Sequence, residues 1–203
     1  MHHGFRRDLA RFATAVGTVS VGDAGRIRAL REHLAFVLDV LHSHHAYEDE
    51  QVWPRLRPLV DADERAVLDA MAREHADLDR AVSDAGSAFT VFRAAPNEPG
   101  RDALLTALRA LTERVEDHLA HEEATAWPLL QRVLPVKAWQ ECERASERYH
   151  KPAAQPKVLP WLLDGVPAAT AEKVLTDLPA PVRMLHRQVW TPAHERRAST
   201  LWR

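Results

Sequence analysis

His44 to Pro54 reads HHAYEDEQVWP, and this stretch ends a long apolar helix pattern. His44 and Glu48 stand four residues apart, so on a helix they lie on one face, one above the other. Leu41, Val37, Leu34 and Leu30 fall on the same stripe. An imidazole and a carboxylate therefore continue a line of side chains that belongs in a core. The pattern recurs 74 positions on, from His44 to His118 and from Glu48 to Glu122. Leu30, Leu34, Val37, Leu41, Trp53, Pro54 and Leu56 likewise find Leu104, Leu108, Leu111, Val115, Trp127, Pro128 and Leu130. Matches at one offset along two helices mark an internal duplication.

The other half of the repeat is fainter. His2, Phe5, Leu9, Phe12 and Val16 map onto His75, Leu78, Val82, Ala85 and Phe89 at an offset of 73, from His2 to His75. This register selects His2 over His3, which points about 100° away on a helix; His3 is its stand-in. The order is two helical hairpins of similar design. Helices are expected over residues 2–20, from about Gly25 to Trp53, from a cap at Asp61 through Phe89, and over about 101–126. Gly22, Asp23 and Gly25 break the first pair, Pro54 and Pro58 bend or end the second helix, and Ala95–Gly100 (APNEPG) reads as a loop. The expected fold is all-α: an antiparallel up-and-down four-helix bundle over residues 1–135. Residues 136–203 are cut by Pro152, Pro156, Pro160, Pro167, Pro179, Pro181 and Pro192. They read as a short-helix extension, with candidate helices at 136–149, 160–164, 169–177 and 181–190, packing on the bundle through Trp161, Leu162, Trp190 and Trp202.

Composition narrows the function classes. Hydrophobic residues make up 46% of the 203 and charged residues 28%, which is ordinary for a globular domain with a full core. Net charge is −2 with the signs interspersed, so no nucleic-acid footprint is expected. No apolar run is long enough for a membrane span, and MHHGFRRDL lacks a signal peptide's apolar centre. Cys142 is the one cysteine, which excludes an intrachain disulfide framework and fits a cytoplasmic location.

Each of the four helices thus places something ionisable on its apolar stripe: His2; His44 and Glu48; His75; His118 and Glu122. An unpaired buried ionisable group costs several kcal/mol. Six of them would rival the net stability of a domain, about 5–15 kcal/mol. A pair of metal ions compensates. Imidazole nitrogens with carboxylate oxygens suit iron and, less selectively, manganese or zinc. Two carboxylates related by a pseudo-twofold axis can bridge two metals, with two histidines holding each from outside. A lone histidine on an apolar stripe is more often a hydrogen-bonded core residue, and one His/Glu pair a helix-stabilising contact. The repetition carries the metal reading. Asp79, four after His75, is a candidate extra oxygen ligand. His45 and His121 lie off the ligand face or on its flank and read as solvated. Asp49, Glu50 and Glu123 read as a solvated face, and His33 has no matched partner. Trp53 and Trp127 read as packing at the bundle end, and His150, His186 and His194 as surface residues.

With one such set per helix in this order, the chain resembles the hemerythrin-like (HHE cation-binding) proteins. The helix ends EDEQVWP and EEATAWP are similar to the family's acidic-then-Trp-Pro ends. The resemblance covers about residues 1–135. It implies a four-helix bundle around two non-haem iron ions joined by an oxo or hydroxo bridge, meeting O2, peroxide or nitric oxide. It implies bridging roles for Glu48 and Glu122 and terminal roles for His2, His44, His75 and His118. Oxygen-carrying hemerythrins have five histidines, two of them four apart on the third helix. Here that helix offers His75 alone, with Met71 and Asp79 at those spacings. A nitrogen-poor site is open or oxygen-rich, which favours an oxidoreductase, catalase-like or acting on a small organic substrate, over simple O2 carriage. The long extension, able to build or cover a pocket, points the same way. Non-enzymatic binding or sensing of O2, NO or iron is the alternative. The ExxH pairs of ferritin-like bundles are absent from the four expected bundle helices.

Overall fold

The computed structural model describes residues 1–146, 149 and 154–203; it is helical, with no strand among the described residues. His150 and Pro152 lie outside them. Four long helices form the frame: α1 (His2–Thr18), α2 (Ala24–Tyr47), α4 (Ala62–Ala94) and α5 (Glu98–Ala124). They pack in a ring, α1 on α2, α2 on α4, α4 on α5 and α5 on α1. Early residues of α1 meet late residues of its neighbours: His2 touches His44 and Glu123, while Asp8 touches His33.

Local chemistry sets the boundaries. The Asp23 side chain accepts from the Arg26 N–H at the start of α2. Asp61 and Glu64 form a reciprocal capping box at the start of α4, as its sequence predicts. The expected 95–100 loop is shorter than its composition implies. Asn97 caps α5, and Pro99 sits in the first turn, where its missing N–H costs no helical bond. The second helix also departs from expectation. A π-helical turn, Glu48–Val52, follows α2 and is closed by the Trp53 N–H on the Glu48 carbonyl. The short α3 (Trp53–Leu56) and a 3-10 turn, Arg57–Leu59, then lead to α4.

The apolar interior comes in two clusters. The larger holds Phe5, Leu9, Phe12, Leu30, Leu34, Leu41, Leu78, Phe89, Leu104, Leu111, Val115 and Leu119. The smaller holds Val52, Trp53, Leu56, Leu68, Met71, Ala126 and Leu130, with α6 (Ala126–Val133) and half-buried Trp127 closing that end. Along α2, α4 and α5 the polar residues of the repeat fall between the two.

Beyond α6 come α7 (Val136–Ser146), α8 (Gln155–Leu163), α9 (Ala168–Thr176), α10 (Ala180–Leu185) and α11 (Thr191–Leu201). Pro192 does not end the last helical stretch, contrary to the sequence reading. A second π-helical turn, His186–Trp190, precedes it, and Pro192 lies in the first turn of α11. α8 and α11 dock on the frame, and Trp161 of α8 enters the larger core fully buried. Its indole N–H donates to Asp8 at 2.8 Å, and Asp8 also accepts from His33 and Arg7, each at 2.7 Å. Burial would push the Asp8 carboxyl up; the bonds and charges of His33 and Arg7 outweigh it and hold it at about 2.

Gly4 makes room for that indole. A Cβ at Gly4 would lie 2.7 Å from Trp161 Cζ2, whereas one at Gly86 in α4 meets nothing within 4 Å. Gly86→Ala is expected to stabilise the fold by about 1 kcal/mol through helix propensity. Gly4→Ala is expected to lose about 1–3 kcal/mol by overpacking, despite the same propensity gain. Urea denaturation measures both; equal stabilisation would show that Trp161 does not fill the α1 surface.

Candidate metal centre

Helical spacing brings His44, Glu48, His75, His118 and Glu122 onto one buried level, and the first turn of α1 adds His2. All except half-buried His2 are buried, with Glu122 at 0% exposure. Donor atoms form two groups, each within 4.8 Å: His2, His44, Glu48 and Glu122 in one, His45, His75 and His118 in the other. Glu48 faces both, with Oε1 at 3.3 Å from His44 Nε2 and Oε2 at 3.6 Å from His75 Nε2. Glu122 Oε2 lies 3.3 Å from His2 Nε2 and 4.0 Å from His118 Nε2.

His45 corrects the sequence reading. It is buried, its ring stacks on His75 at 4.1 Å, and it stands with His75 and His118. A step of 100° from His44 does not take a residue off a buried face that is itself about 100° wide or more. The sequence held a signal for this: at the offset of 74, His45 falls on Leu119, an apolar residue that must face inward. α2 thus adds a fifth imidazole to the four that the sequence nominates. The other nominees lie elsewhere. Asp79 is exposed, 3.7 Å from His42, and His3 is exposed, donating to the Asp164 carbonyl at 3.1 Å.

A set of outer carboxylates holds the rings. His75 Nδ1 donates to Asp49 at 2.9 Å, His2 Nδ1 to Glu123 at 2.7 Å and His118 Nδ1 to Glu74 at 2.9 Å. His121 Nδ1 grips the other oxygen of Glu74 at 2.7 Å, and Arg6 grips Glu123 at 2.7 Å. Asp49, Glu123 and His121 are therefore not simply solvated, as their polarity had implied. Asp49 and Glu123 are themselves 74 apart, and they serve His75 and His2, which are 73 apart. These bonds put the ring proton on Nδ1 and turn Nε2 inward, the arrangement of carboxylate–histidine–metal triads.

The interior atoms fit a cation. His2 and His44 approach Nε2 to Nε2 at 3.2 Å, and so do His75 and His118. Two nitrogens each about 2.0–2.1 Å from a shared ion, at right or tetrahedral angles, lie about 2.8–3.4 Å apart. Shared protons could bridge each imidazole pair, but His45 Nε2, Glu48 Oε2 and both Glu122 oxygens have no hydrogen-bond partner. Orphaned buried polar atoms are costly, and here they converge. Burial, then neighbouring imidazoles, holds His44 and His45 well below the usual histidine range. Burial lowers His118 against the opposing pull of Glu74. Low pKa values keep imidazoles in the neutral, ligating form. Burial first and Glu122 next push Glu48 up, a penalty that a cation between the carboxylates would remove. Five imidazoles and two carboxylates so placed can hold metal. A cavity of about 370 Å3 between α4 and α5 reaches His118 past Glu74, Asp117 and His121.

The family model of the hemerythrin HHE cation binding domain matches residues 1–130. Comparison with curated proteins and with solved structures finds no match.

Two measurements probe this geometry. Asp49→Ala and Glu123→Ala are each expected to weaken metal binding about 10–100-fold with helix content unchanged. Titration of chelator-treated protein with Fe(II) under argon, followed by circular dichroism, measures both; unchanged affinity would remove the outer carboxylates from this role. In chelator-treated protein the lowered pKa values also predict a pH trend. Below the usual 6.5, unfolding lets His44, His45 and His118 take up protons that the folded chain refuses, so their contribution to stability falls with pH. Glu48, raised above 4.5, opposes them, one group against three. Urea unfolding is expected to show lower stability at pH 5 than at pH 7.5; equal or greater stability at pH 5 would contradict the burial of neutral imidazoles.

Proposed function

Because the chain belongs to the hemerythrin HHE cation-binding domain family, we propose that it is a non-haem di-iron protein that binds a small oxidant and reacts with it as an oxidoreductase. The observation that carries this reading is the convergence of five imidazoles and two carboxylates with orphaned inward atoms. The proposed ligands are His45, His75 and His118 for one ion and His2 and His44 for the other, with Glu48 and Glu122 shared between them. Mixed nitrogen and oxygen donors suit iron, with manganese or zinc less favoured. When bound, the iron pair supplies redox chemistry and Lewis acidity. The chain's own residues fix the ring tautomers through Asp49, Glu74 and Glu123 and shield the centre from bulk water.

The fold proposed around it is an antiparallel up-and-down four-helix bundle over residues 1–135, supported by the ring of helix contacts. Residues 136–203 are the extension. No described helix is long and apolar enough to cross a membrane; we place the protein in the cytoplasm.

Three imidazoles would hold one ion and two the other, so a small molecule would be expected to find room on the His2/His44 side. The donors there are nearly closed off, which favours O2, peroxide or NO over a larger organic substrate. The fifth imidazole also removes the nitrogen-poor site on which an enzyme was preferred to a carrier. It favours a second reading, non-enzymatic binding or sensing of the same small molecules.

Hydrogen peroxide separates the two. An enzyme is expected to consume many equivalents per chain and a binding protein about one. His45→Leu installs the residue that the repeat has at Leu119, so it is expected to fold yet hold about half the iron and lose peroxide consumption. Full iron and full turnover in His45→Leu would exclude the five-imidazole assignment.

A further inference from the structure

α11 lies over α2 and α8, and together they line a half-open cavity of about 320 Å3. Its walls are apolar at Ala29, Phe36, Ala193 and Leu201, and its rim carries Lys157, Arg196 and Arg197. Glu32 is the one acid lining it; it is well exposed, with Arg28 at 3.9 Å. Elsewhere on this side of the molecule cations find carboxylates: Arg7 with Asp8, Arg11 with Asp164, Arg203 with Asp23. Among the described residues, no hydrogen bond or ion pair engages the side-chain cations of Lys157, Arg196 or Arg197. Burial lowers the Arg197 guanidinium pKa and the adjacent Arg196 charge adds to this, as for a cation partly stripped of water and given no counter-ion.

We propose that this cavity binds a small organic carboxylate with an apolar body. Arg197 offers the planar fork that grips a carboxylate with two hydrogen bonds, and Lys157 and Arg196 add charge around it. Phe36 and Leu201 receive the apolar body. A phosphate ion alone would leave that apolar wall bare. The volume lies near the lower end of the range for small-molecule sites, about 300–1,000 Å3.

The site is separate from the histidine cluster. Phe36 packs on Trp161 at 5.8 Å between ring centroids, Trp161 on Phe5 at 5.4 Å and Phe5 on His44 at 5.7 Å. His33 and His194 also line the cavity, but three aromatic rings stand between the ligand and His44, the cluster imidazole that this chain of rings reaches, and binding does not depend on whether the centre holds metal.

Isothermal titration calorimetry on the full chain, with 3-phenylpropionate and its neutral amide as probes, tests this. The carboxylate is expected to bind with a Kd of about 1 mM or tighter, as its size allows, and the amide about tenfold more weakly or worse. Arg197 is exposed, so Arg197→Gln is expected to fold normally, keep its metal content and weaken the carboxylate about tenfold. Ala193→Trp, which fills the cavity, is expected to abolish binding. No binding, equal binding of the amide, an unchanged Kd in either variant, or displacement by inorganic phosphate as effective as by a second carboxylate would each overturn the proposal.

Discussion

A layer of buried imidazoles and carboxylates divides the apolar interior in two, and the rest of the structure is arranged around the need to satisfy it. Leu41, Leu78, Val115 and Leu119 close it from one side; Val52, Met71 and Ala126 close it from the other. Seven ionisable groups at this level would by themselves cost about as much as a domain's whole stability. The cost falls where the inward atoms can share cations and the outward atoms find hydrogen bonds. The outward half of that requirement is visible in Asp49, Glu74 and Glu123. The inward half is visible as atoms that converge without partners.

Duplication explains how one chain builds such a layer. Two copies of a helical hairpin place an imidazole on each first helix and an imidazole–carboxylate pair on each second. The same symmetry extends outward to Asp49 and Glu123, which orient equivalent rings. It breaks at two places. His45 faces inward where Leu119 does, which gives one side a third nitrogen. His121 and Glu74 support His118 in a way the first half does not copy.

Much of this was legible in periodicity. The four long helices, the Asp61 cap and the inward faces of His44, Glu48, His75, His118 and Glu122 follow from apolar residues at steps of three and four. His45 escapes a reading by single stripes, because one residue of rotation does not leave a buried face this wide. The π-helical turn after Glu48 left no mark in the apolar pattern, because one added residue per turn mimics an ordinary helix end. Pro99 falls in the expected 95–100 loop and Pro192 among the expected breaks of the extension, yet each sits in a first turn, where proline is tolerated. Trp161 could be named as apolar but not placed. Its partners Gly4, Phe5 and Asp8 lie more than 150 residues away, and no local pattern encodes that distance.

The most direct measurement is metal content per chain, by mass spectrometry of untagged protein purified from iron-supplemented cells. Two irons per folded chain are expected. A folded chain with no iron, or with zinc alone, would contradict the di-iron assignment and leave a polar layer held together by protons and hydrogen bonds.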